Sequence, residues 1–566
     1  MPSETIAHLL DRLEELKRPS SIRHRARLAG VLSKLGRRRF KTTEELIRFH
    51  EALLFLRAYP QTRQLLHDEE ALLLTFQHRV KSVCDAGDET NAFSEPEVSG
   101  IAGTSLTAIF SYPIARWLAR RFPLEVTIDW EGYEDGARLG ETLPRFIPLL
   151  DEESLVEANI PFTAWLREAR GKGQRELAWL IQRFESHPCS EREKTELYDS
   201  LRLYIHWSPR HSRATRTKLK MKTRGVFYHN GPLISRREIS LALEMDSPPL
   251  PVKRLSQLEG AKLLDTIRET SAVRYRELHG FTHGDPKRVT RADAGRGVEF
   301  FINGVNPENR LPLRAYHSVF MVKNGVPVGY VEGLSFFERM EIGFNIYYTF
   351  RDGESAWLYA RILRLFRQLL GVTVFSVDPY QIGFENEEGI ESGAFWFYRK
   401  LGFRPVVDAI SLQVALEEKK MATRPGFRTS TNKLRQLAAG HMLFEFKPDT
   451  PRRWDRFQVR NLGLAVTKEM GKRFRGDVSR MRSAANNFVS RSLGINPGLW
   501  NQNEQRVFEN LSLVLSLIPG LSRWTPAEKR DVVSIIRAKA GAEESKYLRL
   551  LQGHHRLRNE VIRLGS

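Results

Sequence analysis

Cysteine is nearly absent. The 566 residues contain two, Cys84 and Cys189, which excludes a disulfide framework or a cysteine-based zinc site and fits a reducing compartment such as the cytoplasm. Long apolar runs are missing as well. The longest uncharged stretch, 98–115, carries two glycines, a proline and several Ser and Thr, so it reads as buried soluble structure rather than a transmembrane segment. The apolar run at 511–520 is too short to span. The opening MPSETIAHLLDRLEELKRP has the pattern of an amphipathic helix and lacks a secretory core. Acidic residues are in deficit: 68 Asp and Glu face 88 Lys and Arg, a formal charge of +20. That balance favours polyanionic or acidic partners, including nucleic acid, and does not choose among them. Residues 411–566 hold about 29 of the basic and about 14 of the acidic groups, so most of the excess lies in the last quarter.

No G-x-G-x-x-G fingerprint, Walker lysine or Ser/His/Asp set is present. GIAGTS (100–105) is read as a helix start. What is present is ordinary globular composition, 41% hydrophobic and 28% charged, enough to bury sizeable cores at a length that suggests several domains. Residues 1–90 read as helical, with Leu9, Leu10, Leu13 and Leu16, then Leu46, Leu53, Leu54 and Leu56, at helical spacing. The polar loop 87–100 is a plausible boundary, and 91–245 is mainly helical. Its end, ATRTKLKMKTRG, alternates basic with other residues and predicts a strand with Arg216, Lys218, Lys220, Lys222 and Arg224 on one face. Either a phosphate-contacting stripe or a solvated face explains that pattern. Three prolines in DSPPLPVKRL (246–255) open a region of mixed α/β pattern, 246–418. It contains a hairpin turning at Lys323-Asn324-Gly325, an amphipathic helix from 355 to 370, and ISLQVAL (410–416) as a last strand. Residues 419–566 read as a basic helical region.

Within this region GVPVGYVEG, MEIGFNIYYTF, VTVFSVDP and GAFWFYRKLGFRP follow one another. In that order, and through Ala394, Phe397, Tyr398, Gly402 and Phe403 of the final segment, residues 320–406 resemble the GNAT superfamily of acyl-CoA N-acyltransferases. The resemblance covers about 30% of the chain and implies an α/β (α+β) domain with a GNAT-like mixed sheet, flanked by helical regions. It also implies acetyl-CoA or another acyl-CoA as co-substrate, an unknown amine acceptor and no metal. Its strand-edge segment would be Phe344, Asn345, Ile346, Tyr347 and Tyr348, whose free backbone can pair with the amides of a pantetheine arm. Its phosphate-binding turn would be Arg351, Asp352, Gly353, Glu354, Ser355 and Ala356 at a helix N-terminus. The turn departs from the family pattern: Arg351 stands two residues before Gly353 instead of three, and two acidic residues lie inside it. A plain strand–turn–helix with a capping group accounts for it equally well.

By the same resemblance Tyr398 would be the general acid for the departing thiolate, although an aromatic among Phe395, Trp396 and Phe397 is also core material. Glu341 ranks first as general base because family bases often sit on the fourth strand; Glu332, Asp378 and water-mediated deprotonation are rivals. In ELHGFTHGDP, His279, His283 and Asp285 have metal-like spacing, but Gly280 and Gly284 argue against a helix that would align them. With Arg274 and Tyr275, the segment is read instead as bordering the acceptor. Two other readings stay open: a related transferase that takes its acyl group from aminoacyl-tRNA, and a degenerate module that binds CoA, another ligand or nucleic acid without catalysis.

Overall fold

The computed structural model describes residues 4–19, 21–87, 91–148, 160–209 and 213–566. The N-terminal helices are α1 (Ile6–Leu16), α2 (Ile22–Gly36), α3 (Thr43–Ala58), α4 (Arg63–Leu74) and α5 (Phe76–Cys84). Their caps are written in the sequence: Thr5, Thr42 and Thr62 each accept a hydrogen bond from the backbone N–H three residues on. All four predicted leucines of α1 are buried. Helix α3 is buried along nearly its whole length, because it packs against the rest of the chain as well as against its neighbours.

A second unit follows. It contains the small antiparallel sheet β1 (Leu106–Ile109), β2 (Val126–Ile128) and β3 (Tyr204–Trp207), with β3 in the middle. Around it lie α6 (Tyr112–Arg121), α7 (Gly136–Thr142), α8 (Phe162–Arg170), α9 (Glu176–Ser186) and α10 (Glu191–Ser200). The GIAGTS segment leads into β1 and not directly into a helix. The predicted strand over 214–224 is absent: the backbone there is turns and irregular extended chain. Its apparent stripe divides, since Arg216 is buried against Glu51 at 2.8 Å, Lys220 pairs with Glu70, and Lys222 and Arg224 are exposed. Alternation there records alternate anchoring of one chain segment, not the pleat of a sheet.

The main sheet has nine strands in the order β11-β12-β10-β9-β8-β7-β6-β5-β4. They are β4 (Val252–Arg254), β5 (Gly284–Gly295), β6 (Val298–Val305), β7 (Ala315–Lys323), β8 (Val326–Phe336), β9 (Arg339–Ile346), β10 (Val374–Val377), β11 (Arg404–Pro405) and β12 (Met442–Glu445). Helices α11 (Leu241–Asp246), α12 (Gln257–Ala272), α13 (His279–Thr282), α14 (Ser355–Leu370), α15 (Glu387–Glu391), α16 (Ala394–Lys400), α17 (Asp408–Thr423) and α18 (Thr431–Leu437) connect or flank them. The β7–β8 hairpin turns at Asn324 and Gly325, both at positive φ (49° and 82°), as an Asn-Gly turn requires.

One expected element changes identity. ISLQVAL lies in α17, with Ile410, Val414 and Glu417 buried at helical spacing while Leu412 and Leu416 are exposed. The last strand is β12, and it pairs with β10. The sheet therefore extends past 418 into the segment read as purely helical. The remaining helices are α19 (Val459–Phe474), α20 (Val478–Leu493), α21 (Gln502–Leu515), α22 (Pro526–Ala540), α23 (Glu544–Gly553) and α24 (His555–Gly565). One apolar core runs from Leu9 through the sheet to Val561, whereas the second unit has its own. None of the helices in the described residues is long and apolar enough to cross a membrane.

The helical N-terminal region meets the sheet at the start of α14. Glu354 is 1% exposed there and accepts from Arg296 at 2.5 Å and from Lys323 at 3.2 Å, with Lys323 itself fully buried. Lys323 also lies 4.9 Å from the ring centre of Tyr59. The Tyr59 hydroxyl in turn accepts the Glu354 N–H at 3.3 Å. Removing one member of such a cluster leaves a buried charge uncompensated. Glu354→Gln should therefore cost about 3–5 kcal/mol, read as a lower denaturation midpoint, and Lys323→Met combined with Glu354→Leu should recover most of it. A single variant as stable as the parent contradicts the role given to the cluster.

His50 and His317 are buried, and loss of hydration lowers both imidazoles to about 4. They are neutral in the fold, whereas the unfolded chain protonates them near 6.5. Unfolding therefore takes up protons between those values. Their contribution is complete above about pH 6.5 and is lost as pH falls toward 4, by about 1.4 kcal/mol per pH unit for each ring. Melting temperatures recorded at fixed ionic strength should fall over that window; a flat profile contradicts burial of the neutral rings.

Candidate active site

Only one junction of the main sheet is parallel: β9 beside β10. The two stay in register for three residues, Arg339, Met340 and Glu341 opposite Val374, Phe375 and Ser376. Strand β9 continues to Ile346, still paired with β8. Beyond Glu341 its other edge has no strand partner, and backbone groups on such an edge need other hydrogen-bond partners. At this parting lies an open cavity of about 360 Å³. Phe344, Asn345, Ile346, Tyr347 and Tyr348 all line it, as do Ala394, Phe397 and Tyr398 of α16. The strand-edge segment and the proposed acid thus share one cavity.

Helix α16 explains the aromatic run of GAFWFYRKLGF. Gly393 takes a positive φ of 67° at its start, which suits a residue without Cβ. The helix then buries Phe395 and Tyr398 while Phe397 stacks on Phe344, with ring centres 6.2 Å apart and planes 6° from parallel. Tyr359 of α14 lies beneath, 4.9 Å from Phe344 and 5.5 Å from Tyr398, centre to centre. The Tyr398 side chain is nearly enclosed, and burial pushes its phenol above the usual range. Its hydroxyl makes no hydrogen bond among the described residues, and Tyr398 lines the cavity.

The three candidate bases separate. Glu332 on β8 lines the Tyr398 cavity; burial raises its carboxyl above the usual range, and it accepts a hydrogen bond from Tyr316. A carboxyl so raised holds a proton more readily than a solvated one. Glu341 lies instead in a different cavity beside Asp378 and His441, 3.6 Å from Arg314. Asp378 caps the turn after β10 by accepting the Tyr380 N–H at 2.9 Å. Glu341 and Tyr398 thus line different cavities. Glu341 and Gly343 lie on one face of β9, and register sets Glu341 beside Leu334 and Glu332 beside Gly343, two residues further along the strand.

The turn before α14 divides as well. Arg351 and Ser355 line the cavity, with Arg351 paired to Glu388. Asp352 faces the N-terminal helices, 2.6 Å from Arg18 and 3.2 Å from Lys17. An added Cβ at Gly353 would overlap the Tyr59 hydroxyl, so this glycine admits Tyr59 and not a ligand. Glu354 belongs to the Lys323 cluster, and Ala356 is buried in the core. The acidic intrusions in the family-like turn are thus docking residues.

The structure adds lining residues that sequence order did not indicate. Arg274 and Arg276 follow α12, Tyr330 precedes Glu332 on its face of β8, and Pro96 and Glu97 come from the loop after α5. The segment around Arg274 had been read as bordering an acceptor; nothing in the sequence ties Glu97 to it. His279 and His283 stack near Tyr316, with ring centres 4.8 Å apart and 5.3 Å from His279 to Tyr316. Among the described residues no group of three or more His, Cys, Asp or Glu is arranged to hold a metal ion. No family model matches this chain, and comparison with curated proteins and with solved structures returns no match.

Tyr359 is fully buried, and its hydroxyl has no partner among the described residues. An unsatisfied buried hydroxyl costs about 1–3 kcal/mol. Tyr359→Phe should raise the melting temperature of the ligand-free protein, measured by calorimetry. A lower melting temperature would mean that the hydroxyl is hydrogen-bonded after all.

Proposed function

We propose that this chain is an N-acyltransferase of the GNAT type, moving an acetyl or other acyl group from CoA to an amine by direct attack. The observation that carries the reading is the parting of β9 from β10 into a cavity that brings the free strand edge and the Tyr398 hydroxyl together. The residues fit a thioester with an amide-bearing arm. An unpaired strand edge offers that arm hydrogen bonds of the kind it lost from water, and the aromatic floor of Phe344 and Phe397 excludes solvent from the reacting end. CoA supplies the activated acyl group. Glu332 accepts the proton of the attacking ammonium, directly or through water, because its raised affinity for protons suits a base working near neutral pH. Tyr398 delivers a proton to the departing sulfur. The uncommitted edge of β9 offers N–H donors to charge developing on the carbonyl oxygen.

A second reading draws on the turn before α14. Asp352 pairs with Lys17 and Arg18, Gly353 is closed by Tyr59 and Glu354 is held by Lys323 and Arg296, so Arg351 and Ser355 are what the turn presents to the cavity. This is sparse provision for a pyrophosphate. It favours a donor whose phosphates lie elsewhere, such as aminoacyl-tRNA held on the basic surface, with Lys222 and Arg224 and the C-terminal helices α19 and α20 as its contacts. Calorimetry with CoA and with aminoacyl-tRNA separates the two: the first reading expects CoA binding that survives in salt, the second RNA binding that weakens steeply with salt.

Mass spectrometry of acyl-CoA carried through purification identifies donor and chain length. With that donor, Tyr398→Phe should lower turnover about 10²–10⁴-fold with CoA affinity nearly unchanged, and Glu332→Gln should lower it and remove the acidic limb of catalysis from the pH profile. Glu341→Gln, in the other cavity, should leave the rate near that of the parent. A Tyr398→Phe variant as active as the parent excludes the acid role.

A further inference from the structure

The wall of the same cavity contains a cation without a counter-charge. Arg274 is 5% exposed. Its guanidinium lies 4.4 Å from the ring centre of Tyr347, and its only hydrogen bond among the described residues is from Nη1 to the Thr270 carbonyl at 2.9 Å. Its Nε is buried without a partner, and it makes no ion pair among the described residues. Guanidinium groups cannot lose their proton to escape this situation, so a buried one is normally paired. The neighbouring carboxylate, Glu51, is already spent: it pairs with Arg216 at 2.8 Å, with His50 at 2.9 Å and with Thr349. The other charges near Arg274 are Arg216 and Arg57, which add to the local positive potential. Arg276, two residues on, also lines the cavity, 4.0 Å from Glu97.

We infer that Arg274 receives an oxyanion, a carboxylate or a phosphate, carried by the ligand that fills this cavity. The site is built for one: a planar fork of donors over the Tyr347 ring, in a wall that also holds Tyr330 and Glu332. Fixed, desolvated guanidinium is the side chain suited to such groups. With Glu332 as proton acceptor on the same wall, the acceptor class is an amine that also bears an anion, as an amino acid or an amino sugar phosphate does. That last step rests on the transfer reading; the oxyanion site does not.

Full-length protein and its Arg274→Met variant should be melted in chloride buffer at constant ionic strength while sodium acetate or inorganic phosphate replaces chloride. Arg424→Met, at an exposed arginine, controls for general charge effects. The expected result has two parts. Without either anion the Met variant melts at or above the parent, because an uncompensated cation has left the interior. At least one of the two anions stabilises the parent and the Arg424 control, and in Arg274→Met it needs at least about tenfold more to do so. A Met variant that melts lower and keeps the full response makes Arg274 a structural strut through Thr270 and Tyr347 and overturns the inference, as does a parent that responds to neither anion. Calorimetry with CoA then assigns the source. Unchanged CoA affinity in Arg274→Met places the oxyanion on the acceptor, and a tenfold loss places it on the donor's phosphates. A parent that binds no CoA but responds to acetate or phosphate sinks the transfer reading and leaves the oxyanion site standing.

Discussion

The three-residue parallel pairing of β9 with β10 is the constraint from which the rest follows. A longer pairing would close the sheet and satisfy its backbone internally. Stopping after Glu341 leaves five residues of strand edge exposed to a space that protein must line. Parallel strands need a long crossover, and here it is α14, whose N-terminus and buried Tyr359 are delivered to the same opening. Helix α16 follows β10 and closes the other side with Phe397 and Tyr398. Cavity, edge and phenol are one consequence of where a single ladder ends.

The N-terminal helices hold that arrangement in place, though nothing in their own sequence suggests it. Glu354 pairs with Lys323 and Arg296, Asp352 binds Lys17 and Arg18, and Gly353 makes room for Tyr59. The buried Lys323–Glu354 pair adds little net stability but penalises every arrangement that separates its members. Its effect is to fix the angle at which α14 leaves the turn. The residues that make the turn depart from its family-like pattern are the ones that bind it to another part of the chain.

Much of the local structure was legible in the sequence. Asn324-Gly325 turns its hairpin, the leucines of α1 are buried at helical spacing, and strand-forming runs became β7, β8, β9 and β10 in order. The aromatic segment at 394–403 lies beside the strand edge, with Phe397 against Phe344. The misses share a physical cause. Both 214–224 and 410–416 have patterns that local periodicity supports, but tertiary contacts override them: Arg216 is drawn inward by Glu51, and α17 buries only Ile410 and Val414 from its apolar run. Glu341 and Glu332 share a face of the sheet but lie two residues apart along it, in different cavities, a separation that strand periodicity alone does not reveal. Arg274 could be suspected from its neighbourhood but not understood, since the absence of a partner cannot be read from a sequence.

The continuous core has a consequence for how this protein is made. Leu9 and Val561 belong to one apolar cluster, and β12, needed to cover β10, lies some two hundred residues beyond β4. The first helices therefore leave the ribosome long before the sheet they dock against exists. Until residues near 445 emerge, β10 waits with a bare edge, a configuration that invites pairing with other chains. Only the second unit, with its separate core, can settle early. Synthesis thus leaves a long interval in which α3 offers its apolar surface to whatever is near, and the core closes only when its last quarter arrives.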